Sequence, residues 1–137
     1  LKEERTGIAW NTHNLVLELL KDPKNSCVLQ CFREGYTDRQ MGILKEYWKA
    51  GCQIEYNSRI SHTLYKLLWM VFPVPYQVFF RTKADITQFF NYAVPPGASG
   101  KRVTFFYDMA YRSCPHTVSR RTKIWLQLCM RRSCRRA

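Results

Sequence analysis

No proline occurs across residues 38–72, a stretch of 35 residues, and its apolar side chains fall at steps of three and four. Met41, Leu44 and Trp48 set the spacing, and Ile60, Leu64, Leu67, Leu68 and Val71 resume it; such steps stack side chains on one face of a helix. Thr37-Asp38-Arg39-Gln40 opens the stretch in capping-box form, with a Thr hydroxyl for the third amide and a Gln that reaches back. Pro73 and Pro75 close it. The pattern predicts one helix roughly 50 Å long, which exceeds ordinary globular lengths and implies the spine of a bundle. Gly42 and Gly51 weaken that helix by about 1 kcal/mol each relative to Ala, so neighbouring helices must hold it. A heptad seam is not sustained across residues 51–59, which disfavours a coiled coil.

The rest of the chain reads as shorter helices. Ile8, Trp10, Leu15, Leu17, Leu19 and Leu20 predict a helix over residues 8–21, broken by Pro23. Val28, Leu29, Cys31 and Phe32 predict another turn or two, which Gly35 can terminate in a left-handed cap. Thr82-Lys83-Ala84-Asp85 can cap a helix through Tyr92 that buries Ile86, Phe89 and Phe90, and Pro95-Pro96-Gly97-Ala98-Ser99-Gly100 is the clearest loop. Two further helices are predicted over residues 103–111 and 118–132, the last with Ile124, Trp125, Leu128 and Cys129 on one face. The expected fold is therefore all-α, an up-and-down bundle of about five helices forming a single domain over residues 1–137. A chain of that length hides roughly two thirds of its unfolded surface. It opens on Leu1 without an initiator Met or a signal peptide. The uncharged run between Lys66 and Arg81 has 14 residues and the one between Asp85 and Lys101 has 15, both short of the roughly 20 of a membrane span. A soluble, processed chain is expected.

Charge is distributed unevenly. The first sixty residues hold nine basic and eight acidic side chains, whereas residues 61–137 hold thirteen basic ones against Asp85 and Asp108. Fourteen of the twenty aromatics share that second half, so an anionic membrane is at least as good a partner as nucleic acid. Arg112, Arg120, Arg121, Lys123, Arg131, Arg132, Arg135 and Arg136 have no acid among them. Guanidinium forks match phosphate and sulfate oxygens. The plain alternative is a solvated face, but so many uncompensated charges repel one another without a ligand. Nucleic acid is disfavoured because only Trp125 is interleaved for stacking.

The segment running from Trp69 through Phe80 is the greasiest in the chain. Its alternatives are core and an interfacial patch. Two prolines force extended backbone, and a connector runs over the surface, so Trp69, Met70, Val71, Phe72, Val74, Tyr76, Val78, Phe79 and Phe80 are the candidate membrane-inserting residues. Arg81, Lys83, Lys101 and Arg102 are candidate headgroup contacts beside them, together with the C-terminal basic set. Replacing Trp69, Phe79 and Phe80 with Ser is expected to abolish lipid mixing in a folded protein.

No catalytic site is expected. The chain has neither a glycine-rich phosphate loop, a nucleophile elbow nor a His-Glu-x-x-His motif. Cys114 and His116 are a disulfide half and a loop histidine before they are a thiol and its base. No cofactor is implied. Cys27, Cys31, Cys52, Cys114, Cys129 and Cys134 permit three disulfides in fifteen pairings, whereas zinc is disfavoured because no Cys-x2-Cys pair is present.

The capped helix, the aromatic and basic register from Tyr47 to Trp69, the Pro-Gly loop and Phe105-Phe106-Tyr107-Asp108-Met109-Ala110-Tyr111 resemble the abalone sperm acrosomal proteins, a family of egg-coat lysins and their fusagenic paralogues. The likeness runs from about Tyr36 to Arg112. It implies a bundle of roughly five helices, release from the sperm acrosomal vesicle to the extracellular space, and non-enzymatic action on egg surfaces. Six cysteines and the apolar segment depart from the lysin pattern and lean toward the fusagenic branch. The resulting expectation is a secreted protein that binds and perturbs the anionic egg membrane in sperm–egg fusion. A lysin-like binder of egg-envelope glycoprotein is the alternative, and a homodimer is left open.

Overall fold

A computed structural model describes residues 7–33 and 35–137, apart from the side chains of Arg33, Met70 and Val71. The fold is mixed α/β, which overturns the expected all-α bundle. The chain divides into two compact units, Leu1–Val71 and Phe72–Ala137.

The first unit begins with α1 (Gly7–Lys21). Its C-terminal end is closed by Asn25, whose Nδ2 donates to Leu19 O at 3.0 Å, and by an Asp22 turn. β1 (Val28–Arg33), α2 (Asp38–Lys49) and β2 (Gln53–Ser61) then form a strand–helix–strand unit with β1 and β2 parallel, and α3 (His62–Val71) follows.

The predicted spine of residues 38–72 is thus a helix, a strand and a second helix. Its start was correctly read: Thr37 Oγ1 and Gln40 Oε1 make the reciprocal capping bonds at α2. Its interruption lies at Gly51, whose φ of +97° is left-handed. Gly51 N donates to Trp48 O and Cys52 N to Tyr47 O, at 3.0 and 2.9 Å, the paired bonds of a Schellman helix end. Gly51 therefore terminates a helix rather than weakening one. Beyond it Ile54, Tyr56 and Ile60 suit a strand, and the ladder from Val28↔Gln53 to Phe32↔Asn57 satisfies their backbone. That pairing also converts the expected helical turns at residues 28–32 into β1, with Gln30 Nε2 donating to Glu55 Oε2 across the rung at 3.1 Å.

Phe32 of β1 stacks on Tyr65 of α3 with ring centroids 4.8 Å apart, and Val16, Ile43, Leu44, Tyr47 and Trp69 are buried in the same unit. His13 of α1 is buried as well, its Nδ1 2.9 Å from the Tyr47 hydroxyl.

In the second unit, a 3-10 turn at Tyr76–Val78 precedes the parallel pair β3 (Ile86–Phe89) and β4 (Lys101–Thr104). These strands replace the helices expected over 82–92 and 103–111. Of the latter, the single turn α4 (Ala110–Ser113) remains, and α5 (Arg120–Cys134) confirms the last predicted helix. The Pro-Gly loop sets the strand pairing. Gly100, at φ +64°, lets Lys101 N reach Asp85 O at 2.7 Å. A Cβ there would collide with the carbonyl oxygens of Ala84 and Asp85. Gly100→Ala is therefore expected to destabilise the protein by about 2 kcal/mol or more, read as a lowered urea midpoint at unchanged slope.

Candidate functional site

The second unit carries twelve basic side chains against Asp85 and Asp108, and α5 organises the densest group. Ser119 caps the helix, its Oγ accepting from Thr122 N at 3.2 Å. One face is fixed inward. Leu126 and Met130 pack with Tyr111, flanked by Tyr92, Val118 and Trp125. Ser133 Oγ accepts from the buried Val94 N at 2.8 Å, and Cys129 is buried between them in sequence.

With about 100° of turn per residue, that face forces Arg120, Arg121, Ile124, Leu128, Arg131, Arg132 and Arg135 into a sector of about 120° on the opposite side. All seven are exposed, Ile124 at 51% and Leu128 at 50%. Two aliphatic side chains are thus ringed by five guanidiniums. Among the described residues none of these arginines meets a carboxylate. The expectation that Ile124 and Leu128 share an inward face with Trp125 and Cys129 is corrected here. The Leu126–Met130 stripe, backed by the Ser133 hydrogen bond, claims the core instead.

Asp108, the last acid in the chain, is committed locally. Its Oδ1 accepts from Ala110 N at 3.0 Å and its Oδ2 from the Tyr92 hydroxyl at 3.3 Å. Burial first, and then the Asp108 carboxylate, push the Tyr92 phenol above its usual range and keep it a donor. The Asp108-Met109-Ala110-Tyr111 run is therefore a capped turn that delivers Tyr111 to the core.

The remaining predicted anion contacts fall into separate places. Arg112 is exposed on α4 and Lys123 is half-buried on the flank of α5. Arg136 is half-buried, with Nη1 3.4 Å from Val94 O, and serves the fold. Arg81, Lys83 and Lys101 are exposed and Arg102 is half-buried. The β3–β4 register sets Ile86 beside Lys101 and Gln88 beside Val103, and exposed Ile86, Val103 and Lys101 make a second, smaller apolar and basic face.

The predicted insertion segment divides sharply. Trp69, Tyr76 and Phe80 are core residues, Phe80 at 2% exposure, and Val74 and Phe79 are half-buried. Only Phe72 and Val78 of the described set stand out in solvent, Val78 at 68%. The Met70 and Val71 side chains lie outside the described residues. Tyr76 meets Phe80 at 4.9 Å and the edge of Phe89 at 5.5 Å between ring centroids. Gln77 Nε2 donates to Phe80 O and Thr82 O, each at 2.8 Å, and ties the connector into the unit. A Pro-x-Pro entry followed by a side-chain-stapled turn lets this uncharged run bury half of itself.

Sequence reasoning missed Ile124, Leu128, Ile86 and Val103 as surface residues. The signal for the first two was present: each has arginines three or four positions away on the same stripe. Cys114 and His116 are exposed beside the 3-10 turn at Pro115–Thr117. Among the described residues no group of three or more His, Cys, Asp or Glu side chains could hold a metal ion, and no helix is long and apolar enough to cross a membrane. Comparison with models of known families, with curated proteins and with solved structures finds no match to this chain.

Proposed function

We propose that this protein is a non-enzymatic binder of anionic membranes that docks through the outward face of α5 and perturbs the bilayer it meets. The observation that carries the reading is the single stripe of Ile124 and Leu128 ringed by Arg120, Arg121, Arg131, Arg132 and Arg135. A helix lying in the interface needs apolar side chains to enter the acyl boundary and cations to hold headgroups. Five arginines near an anionic surface contribute roughly 1 kcal/mol each, and completing the burial of two aliphatic side chains adds about 1 kcal/mol apiece. The sum corresponds to roughly micromolar affinity. Arg120 and Arg121 also stand at the positive end of the helix dipole, where an anionic surface relieves their repulsion.

The setting we propose rests on the resemblance to the abalone sperm acrosomal family: release from the acrosomal vesicle and action in sperm–egg membrane fusion. Fusion requires one molecule to engage two bilayers, and the β3–β4 face with Ile86, Val103 and Lys101 offers a second contact of the same chemistry. A second reading, binding of egg-envelope glycoprotein, is favoured by the dominance of arginine, whose fork fits sulfate as well as phosphate.

Lipid mixing and dye leakage with anionic and neutral liposomes at physiological salt separate the two. Mixing that requires anionic lipid is the expected result. Silence on both liposome types from a folded sample overturns the membrane reading and leaves the glycoprotein one.

A further inference from the structure

Disulfide pairing is open at the level of sequence, yet the strand register narrows it. The β1–β2 ladder begins at Val28↔Gln53, and Gln53 N donates to Cys27 O at 2.9 Å. One rung earlier, Cys27 faces Cys52. Parallel neighbours in register point to the same side of the sheet, about 4.8 Å apart, inside the span of roughly 4.4 to 6.8 Å between Cα atoms that a disulfide bridges. We propose that Cys27 and Cys52 form a disulfide that staples the start of β1 to the start of β2.

Several features support this pairing over its rivals. Cys52 is held by its N–H bond to Tyr47 O at 2.9 Å in the helix end of α2, so its backbone is fixed before any bond forms. Its thiol bonds Gln53 O at 3.4 Å and approaches the Leu29 backbone, which turns it toward β1. The Cys27 and Cys52 sulfurs lie close enough to interact electrostatically. Cys31, four residues along β1, is paired with Tyr56 and so lies away from Cys52. Because residues 28–33 are extended, Cys31 is carried along the strand instead of lying one helical turn from Cys27.

The oxidant is a small-molecule disulfide such as glutathione disulfide. Cys27, the less buried of the two, attacks one glutathione sulfur as thiolate, forms a mixed disulfide and expels a glutathione thiolate. Cys52 then attacks the Cys27 sulfur, closes the protein disulfide and expels the second glutathione. Two protein thiol protons and two electrons leave on two molecules of reduced glutathione. Burial raises both thiols above their usual range, so closure accelerates as pH rises. The bond encloses α2 in its loop, and reducing it is expected to lower Tm by roughly 10 °C.

The test equilibrates the full chain with glutathione disulfide, blocks remaining thiols and digests it without reduction. Trypsin is expected to yield peptide 25–33 linked to peptide 50–59, and chymotryptic cleavage after Leu29 assigns the link to Cys27 rather than Cys31 without any variant. The link persists in Cys31→Ser and vanishes in Cys27→Ser. Recovery of Cys27 and Cys52 as blocked free thiols, or linkage of Cys52 to any other cysteine, overturns the proposal.

Discussion

Replacing Arg120, Arg121, Arg131, Arg132 and Arg135 together with Gln is expected to weaken binding to anionic vesicles by about a hundredfold or more, while leaving the fold intact. All five are exposed, and Gln preserves helix propensity and most of the aliphatic stem. Removal of five cations that each contribute roughly 1 kcal/mol near an anionic surface exceeds what Ile124 and Leu128 can hold alone. Co-sedimentation at two salt concentrations checks it. The wild type should lose affinity steeply with salt and the variant less steeply, since screening acts on fewer charges once five are removed. The complementary Ile124→Ser, Leu128→Ser pair should bind in a more salt-sensitive way and lose lipid mixing. Equal binding by wild type and the Gln variant would remove α5 from the mechanism.

The second large effect is on stability. Phe80→Ala is expected to cost about 3 to 5 kcal/mol, because Phe80 is 2% exposed and packs on Tyr76. Urea unfolding followed by near-UV circular dichroism reads that cost directly. The triple replacement of Trp69, Phe79 and Phe80 with Ser, attractive from sequence as an insertion test, therefore unfolds the protein and loses lipid mixing for that reason. Phe72→Ser and Val78→Ser are the informative changes. Both side chains are exposed, so stability should move by about 0.5 kcal/mol or less, and lost mixing would then report a membrane contact.

The sequence by itself determined the elements whose signals are local. The Thr37 and Gln40 side chains close a capping box within four residues. Pro23 and Pro73 forbid helix on steric grounds wherever the chain goes. The uncompensated charge of the C-terminal stretch is arithmetic, and α1 and α5 carry enough periodicity to stand as helices. What lay beyond it were the parallel ladders. Residues 28–32 and 53–57 are β only because each supplies the other's backbone partners across an intervening helix, and residues 86–89 and 101–104 become strands the same way across the Pro-Gly loop. Short apolar runs of this kind fit either period until a partner is fixed. Gly51 shows the same ambiguity within one residue: only its left-handed φ distinguishes a helix end from a weak point inside a helix.

The candidate site divides along the same line. Which residues are basic and which are apolar was legible in the sequence. Which of them face water was not, because that depends on what covers them. Tyr76 enters the core because Phe89 packs against its ring and the Pro-Gly loop takes its backbone N–H, and Phe80 is buried against Tyr76. Ile124 and Leu128 stay outside because Leu126, Met130 and Ser133 found Tyr111 and Val94 first, and a rigid helix must then turn its opposite stripe, with five arginines, to the surroundings.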